Sequence, residues 1–415
     1  CMPYMPLICL AALFTAGLNL FGRFGITSLS AVWLNVAMIA AIAGAGFFFT
    51  QDAEQMAVWV CAGSLVGGVL QLVIPMGAFW MEGWRPRLTL ERSESWEQLK
   101  LIFLPAVAGA GIQQINFFVS RFLALNVDDQ SLTVYYLANR VVELPIGVFA
   151  ITVSTVIFPA MALHAAREEK AELGGTFAHG MRLIFAINIP AAIGLLVLAE
   201  PIVRVLFQHG KFDAADTAAT LPVLWIFAVA MPFYGAISLI GRALNSVKDT
   251  RTQAKVAGWV FLLNLTLSPL LGWWLKAPGL ALANLAAAVL QCVVLLRVLR
   301  RRDPAFAREK LLRPLGQCLL AALLMGGLAA GVWWAGAHWL ALPGWVERLL
   351  VSSEATPERV AAVRGLTGGV LGLLTVIPGA AAFYFFLLGR LGYPESDFLA
   401  RRLREKFLRG GSKGK

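Results

Sequence analysis

From residue 57 to residue 81 the chain reads AVWVCAGSLVGGVLQLVIPMGAFWM, and nothing in that stretch carries a charge. A helix rising about 1.5 Å per residue crosses a ~30 Å hydrocarbon layer in about 20 residues, so this run is long enough to span one. The pattern recurs. Eleven candidate spans are read at 2–22, 28–50, 57–81, 101–126, 131–163, 181–207, 217–241, 256–275, 278–298, 314–341 and 361–389. Charged residues make up only 14% of the chain, against roughly 25% in a soluble domain. The apolar material must therefore face lipid, and the expected fold is an all-α polytopic membrane protein. No Ser/Gly linker or low-complexity tract interrupts it, and the connections are short apart from 341–360.

The net charge of +11 could suggest a nucleic-acid partner, so its distribution decides the matter. Of 35 Lys and Arg, 27 fall around residue 23 and in 82–100, 164–182, 242–255, 297–313 and 390–415. The alternate connections hold six, and two more, Arg121 and Arg140, lie inside spans. This asymmetry is that of cytoplasmic loops in a membrane protein, with the basic tail RRLREKFLRGGSKGK (401–415) inside the cell. No basic module interleaved with aromatics stands outside the membrane, so no nucleic-acid partner is expected. Cys9, Cys61, Cys292 and Cys318 are scattered without a Cys-x-x-Cys, and His164, His179, His209 and His338 are equally dispersed. Neither a metal nor a cofactor is expected.

Two stretches echo each other. LNLFGRF (18–24) resembles ISLIGRA (237–243), and GVLQLVI (68–74) resembles AVLQCVV (288–294), at offsets of 219 and 220. Between them Asn35 matches Asn264, the second copy carrying about ten more loop residues. The shared order points to a parallel duplication, as in transporters with two related halves. On that reading the spans 101–126, 131–163 and 181–207 have no upstream counterparts, so about three further helices are expected before Cys1. A genuine start at Met2 is the alternative.

The stretch TVYYLANRVVELPIGVFAITVSTVIFPAM (133–161) holds two charges, Arg140 and Glu143. A charge at the bilayer centre costs at least ~2.5–3.5 kcal/mol on insertion scales, so such residues usually face a cavity and carry function. Three residues apart, they share one helix face. They can satisfy each other as an ion pair between helices. Alternatively, the planar guanidinium can take two phosphate oxygens at once. Pro145 cannot complete the bond to residue 141 and is expected to kink the helix nearby.

Several motifs together resemble the MurJ/MviN lipid II flippases of the multidrug/oligosaccharidyl-lipid/polysaccharide exporter superfamily. FTAGLNLFGRFGITSLSAVWLNVAMI (14–39) is similar to the family's fourth and fifth helices. VYYLANRVVELPIGVFAITVSTVIFPAM (134–161) resembles the eighth, usually Tyr-Tyr-Ala-Asp-Arg-x-x-Glu-x-Pro-x-Gly-Val. LAEPIVRVLFQHGKFDAADT (198–217) and GRALNSVKDTRTQAKVA (241–257) resemble the end of the ninth helix with its outer loop and the tenth-to-eleventh connection. The family has fourteen helices, so the eleven here would be its fourth to fourteenth.

The resemblance implies two pseudo-symmetric lobes rocking around a central cavity. Residues 1–81 would be part of the N-terminal lobe, 99–302 the C-terminal lobe, 313–390 a helix pair lining a lipid-tail groove, and 391–415 the tail. It implies lipid II as the transported partner, a membrane-lipid environment, a multi-pass location in the bacterial cytoplasmic (inner) membrane, no enzymatic activity and a monomer. Arg140 would join a cluster of cavity arginines, and Glu143 would hold it or exchange partners as phosphate arrives. Asn139 stands where the family commonly has Asp, which puts in doubt any mechanism needing an acid there.

Gln113, Gln114 and Asn116 can contact sugar or peptide, or bond between helices; Arg121 can snorkel to water. Relatives carry carboxylates at positions matching Ser120 and Ser268, which with Asn264 and Asn284 form a possible ion site. Serine lacks the charge that a hard cation favours, so sodium coupling is doubtful and ordinary polar packing is the alternative. Arg23, Arg242, Asp249 and Arg251 are gate candidates, or else a solvated basic loop. Trp333, Trp334, Trp339 and Trp345 around His338 read as depth anchors. The competing functions are export of another polyprenyl-linked oligosaccharide or a drug, a non-transporting fragment, and an enzyme acting on polyprenyl phosphates. The enzyme would need aspartates for Mg²⁺, and the adjacent pair Asp128-Asp129 falls on the outer side.

Overall fold

The computed structural model describes residues 3–21, 25–26, 29–48, 52–83, 118, 122, 130–147, 152–210, 212–307, 311–339 and 357–395. All regular structure among them is helical, and they divide into two compact units, residues 1–99 and 100–415. Among the described residues six helices are long and apolar enough to cross a membrane, and three shorter apolar ones accompany them. The chain is an all-α integral membrane protein. The expected span 101–126 lies outside the described residues apart from Phe118 and Phe122.

In the first unit α3 (Ala53–Met81) packs against both α1 (Tyr4–Leu20) and α2 (Ser30–Phe48). The approach of α2 is close because Gly63 and Gly67 lie one turn apart on α3. A Cβ at Gly63 would stand 2.6 Å from Ala41 Cβ, and one at Gly67 2.9 Å from Leu34 Cα. Small residues are what let helices in lipid approach backbone to backbone, where apolar burial gives no drive to associate. Gln71, buried on α3, joins all three helices. It accepts from Tyr4 Oη at 3.1 Å and donates to the Ser30 carbonyl at 3.0 Å.

The second unit contains α4 (Ser131–Pro145), α5 (Thr152–Ala166), α6 (Lys170–Val197), α7 (Ala199–Phe207), α8 (Ala214–Ser246), α9 (Thr250–Arg302), α10 (Leu312–Trp339) and α11 (Pro357–Arg390). Helix α8 is its axle, packing against α4, α5, α6, α7 and α9. Of the span read at 131–163, residues 131–145 and 152–163 are helical, and α4 passes into a wider π turn at 146–147 directly after Pro145. The span read at 181–207 breaks at Leu198. Pro201 has no N–H for the Val197 carbonyl, so the helix restarts there.

Helix α9 is not one rod. At Lys276 the backbone takes φ 55°, ψ −137°, and the limbs 250–275 and 277–302 fold back on each other. Asn264 Nδ2 donates to Asn284 Oδ1 at 3.1 Å, whereas 20 residues of straight helix would hold them about 30 Å apart. Gly279 meets the Leu271 carbonyl so closely that a Cβ would clash. This is the turn anticipated between the spans at 256–275 and 278–298.

The start of α8 explains the motif HGKFDAADT (209–217). Gly210, at φ 67°, turns the chain. Asp213 then accepts from the Ala215 and Asp216 amides at 2.8 and 3.0 Å, while Asp216 accepts from the Asp213 amide at 3.1 Å. These reciprocal bonds form a capping box that satisfies the free amides of the first turn. Asp216 also accepts from Gln130, which ties the start of α4 to the start of α8.

Helices α10 and α11 pack on each other and, through α10, on α6. Residues 391–395, grouped with the tail from sequence, are built into this unit. Gly392, at φ 65°, reverses the chain. Gln317 donates to the Leu391 carbonyl at 2.7 Å, and Tyr393 Oη donates to the Arg182 carbonyl at 2.6 Å. Glu395 is buried against Arg182 Nε and lies 3.2 Å from His179 Nδ1.

Candidate functional site

Helix α4 has two faces. Val134, Ala138, Val141 and Val142 are buried, packed with α8 and α9 residues such as Phe227 and Ala281. Tyr136, Asn139, Arg140 and Glu143 share the opposite stripe at spacings of three and four, the spacing at which helical side chains meet.

On that stripe Arg140 Nη1 lies 2.8 Å from Glu143 Oε2, with the two side chains 53% and 46% exposed. Arg140 Nε donates to Tyr136 Oη at 3.0 Å, and its Cζ sits 5.0 Å from the centre of the Tyr136 ring. That is cation–π range, and the aromatic face attracts the charge. The second carboxylate oxygen, Glu143 Oε1, accepts from Asn139 Nδ2 at 2.7 Å. A guanidinium offers five N–H donors. Nη2 has no partner among the described residues, and once Glu143 releases Nη1 the two terminal nitrogens form an edge that matches two oxygens of a carboxylate or phosphate.

Behind the stripe a polar chain anchors α4 to the α9 hairpin. Ser268 Oγ donates to Asn264 Oδ1 at 2.6 Å, and Asn264 passes a bond to Asn284. Asn284 Nδ2 donates to Tyr135 Oη at 3.0 Å and to the Leu280 carbonyl at 2.9 Å. The Tyr135 ring packs edge-on against Phe227 at 5.2 Å. Three of the four residues read as an ion site thus come together, linked by bonds among uncharged groups. Ser120, the fourth, lies outside the described residues, as do Gln113, Gln114, Asn116 and Arg23. Among the described residues no cluster of His, Cys, Asp or Glu could hold a metal.

Of the gate candidates, Asp249 is engaged within its own unit. It caps α9 by accepting from the Thr252 amide at 3.2 Å and pairs with Arg302 Nε at 3.0 Å, joining the two ends of the hairpin. Burial pushes its carboxyl up. The bonds from Thr252 and the charges of Arg302 and Lys255 outweigh that and hold it below the usual carboxylate range. Arg242 is half-buried and Arg251 exposed.

Sequence reasoning missed Tyr135, Tyr136 and Arg302. The paired tyrosines of the family pattern were the available signal for Tyr135 and Tyr136; nothing local pointed to Arg302.

A family model described as lipid II flippase MurJ matches residues 1–342. A Haemophilus influenzae protein named probable lipid II flippase MurJ is 30% identical over 340 residues, covering 80% of this chain and 65% of that protein. A Rhizobium meliloti protein of the same name is 29% identical over 407 residues, covering 97% of this chain and 71% of that protein. Among solved structures, a lipid II flippase MurJ in an inward closed conformation matches with a TM-score of 0.65 at 22% identity, covering 93% of this chain and 73% of that one. This last likeness speaks to the fold alone. The chain spans 65%, 61% and 60% of the length of the first three relatives it matches. Its helical order and its match over residues 1–342 place it plainly: the chain belongs to the MurJ family.

Proposed function

We propose that this protein serves to move lipid II, the undecaprenyl-diphosphate-linked peptidoglycan precursor, from the inner to the outer leaflet of the bacterial cytoplasmic membrane by alternating access. The observation that carries this is Arg140: a guanidinium on an open polar stripe of an otherwise apolar helix system, in a chain of this family, with Nη2 free among the described residues. A diphosphate crossing a low-dielectric region loses hydration, and a fixed guanidinium offsets that loss without itself being deprotonated. Glu143 keeps the arginine paired until the anion arrives. The protein acts as a transporter rather than an enzyme, as a monomer, with its C-terminus in the cytoplasm. Residues 313–390 would line the groove for the lipid tail, and Arg242, Asp249 and Arg251 would border the inner gate. The relay Ser268–Asn264–Asn284 brings no charge to a cation, so coupling to membrane potential or protons is favoured over sodium at that place.

The test is complementation. Expressed from its own gene in cells depleted of their resident flippase, the protein supports growth, and Arg140→Ala at equal membrane abundance does not. Normal growth with Arg140→Ala overturns the role of this residue.

A further inference from the structure

An arginine locked to a carboxylate is a poor anion receptor. The incoming phosphate must displace the carboxylate, and whichever charge is released is then left without a partner. The stripe on α4 is built so that neither is. Glu143 divides its oxygens, Oε2 to Arg140 at 2.8 Å and Oε1 to Asn139 Nδ2 at 2.7 Å. Arg140 likewise divides its donors, Nη1 to Glu143 and Nε to Tyr136 Oη at 3.0 Å, with the Tyr136 ring beneath its Cζ. Each charged member therefore has a charged partner it can lose and an uncharged partner it keeps. One residue away, Tyr135 is bonded to Asn284 on the far side of the helix, which holds the backbone under the stripe.

We propose that Tyr136 and Asn139 are positioning residues that allow the Arg140–Glu143 pair to open toward an incoming diphosphate. Tyr136 retains the guanidinium with its Nη edge turned out, and Asn139 retains the carboxylate. This deepens the reading of Arg140 as the diphosphate receptor and rests on it. Asn139 matters here because an amide can donate to Glu143, whereas a carboxylate in its place could do so only when protonated.

The experiment measures flipping of lipid II by the purified protein in proteoliposomes at sub-saturating lipid II, with thermal stability recorded in parallel. Tyr136→Phe keeps the ring and removes the hydroxyl; Asn139→Ala removes the amide. Each is expected to slow flipping about tenfold, the scale of one hydrogen bond to a charged group, with thermal stability unchanged. Whatever rate Glu143→Gln has by itself, adding Asn139→Ala to it should slow flipping no further, because an uncharged side chain needs no keeper; a merely structural role for Asn139 would slow both backgrounds alike. Wild-type flipping by Tyr136→Phe and Asn139→Ala, or an Asn139→Ala defect that persists with Glu143→Gln, overturns the keeper role while Arg140→Ala remains inactive. If Arg140→Ala itself flips normally, the receptor reading beneath it fails as well.

Discussion

The protein has two arginine–glutamate pairs of opposite design. Arg140 and Glu143 are three residues apart on one helix and about half exposed. Arg182 and Glu395 are 213 residues apart, with side chains only 15% and 3% exposed. The open pair has a spare uncharged partner for each charge. In the buried pair, Glu395 Oε1 takes both Arg182 and His179, while Oε2 is buried without a hydrogen bond among the described residues. A buried pair cannot be opened cheaply, since removing one partner strands the other away from water. The difference separates exchange from fastening. The stripe on α4 can trade partners, whereas the strap 391–395 holds the helix pair α10–α11 to α6.

The strongest way to break this comparison is to delete one arginine from each pair. Arg182→Leu should lower unfolding free energy by about 3–5 kcal/mol, the usual cost of stranding a buried charge. Arg140→Leu should change it by less than about 1 kcal/mol, as exposed pairs do. Thermal unfolding in detergent reads both, and equal losses would abolish the distinction. A comparable effect locates the end of the fastening. Ending the chain after Arg390 removes Glu395, which strands Arg182, together with the buried Tyr393, and should cost about 3–5 kcal/mol relative to ending it after Glu395. Equal stability of the two shortened proteins would mean that the strap fastens nothing.

The same contrast explains what could be read from sequence. Arg140 and Glu143 were legible because a charge inside an apolar run is costly and their spacing is helical. The turn in α9 was legible because Lys-Ala-Pro-Gly (276–279) punctuates two apolar runs. The break at Leu198 had a local cause, Pro201, yet the apolar run read as continuous across it. Tyr136 was hidden because an aromatic in an apolar stretch reads as lipid contact. The strap and the Tyr135–Asn284 bond join residues 213 and 149 positions apart. Such contacts depend on which helix faces pack together, and no local pattern encodes that in a chain whose helices are apolar on nearly every side.

A third ion pair lies between the two designs and sharpens the scale. The Asp249 side chain is 5% exposed while that of Arg302 is 57% exposed, so the carboxylate is enclosed and its partner wet. Replacing Asp249 by Asn keeps a competent helix cap and loses the charge. The expected cost at neutral pH is about 0.5–1 kcal/mol, well below that of Arg182→Leu. Its pH dependence has a definite sign. The folded carboxyl lies below its ordinary range, so its contribution is fully present above the unfolded value of about 3.9 and is lost as pH falls through the lower folded value. The stability difference between wild type and Asp249→Asn should therefore stay constant from about pH 8 to pH 5 and shrink below about pH 4. A difference that already fades between pH 7 and 5 would mean that Arg302 and Thr252 do not hold the carboxylate charged. The pair joining the two ends of the α9 hairpin would then behave like a neutral contact.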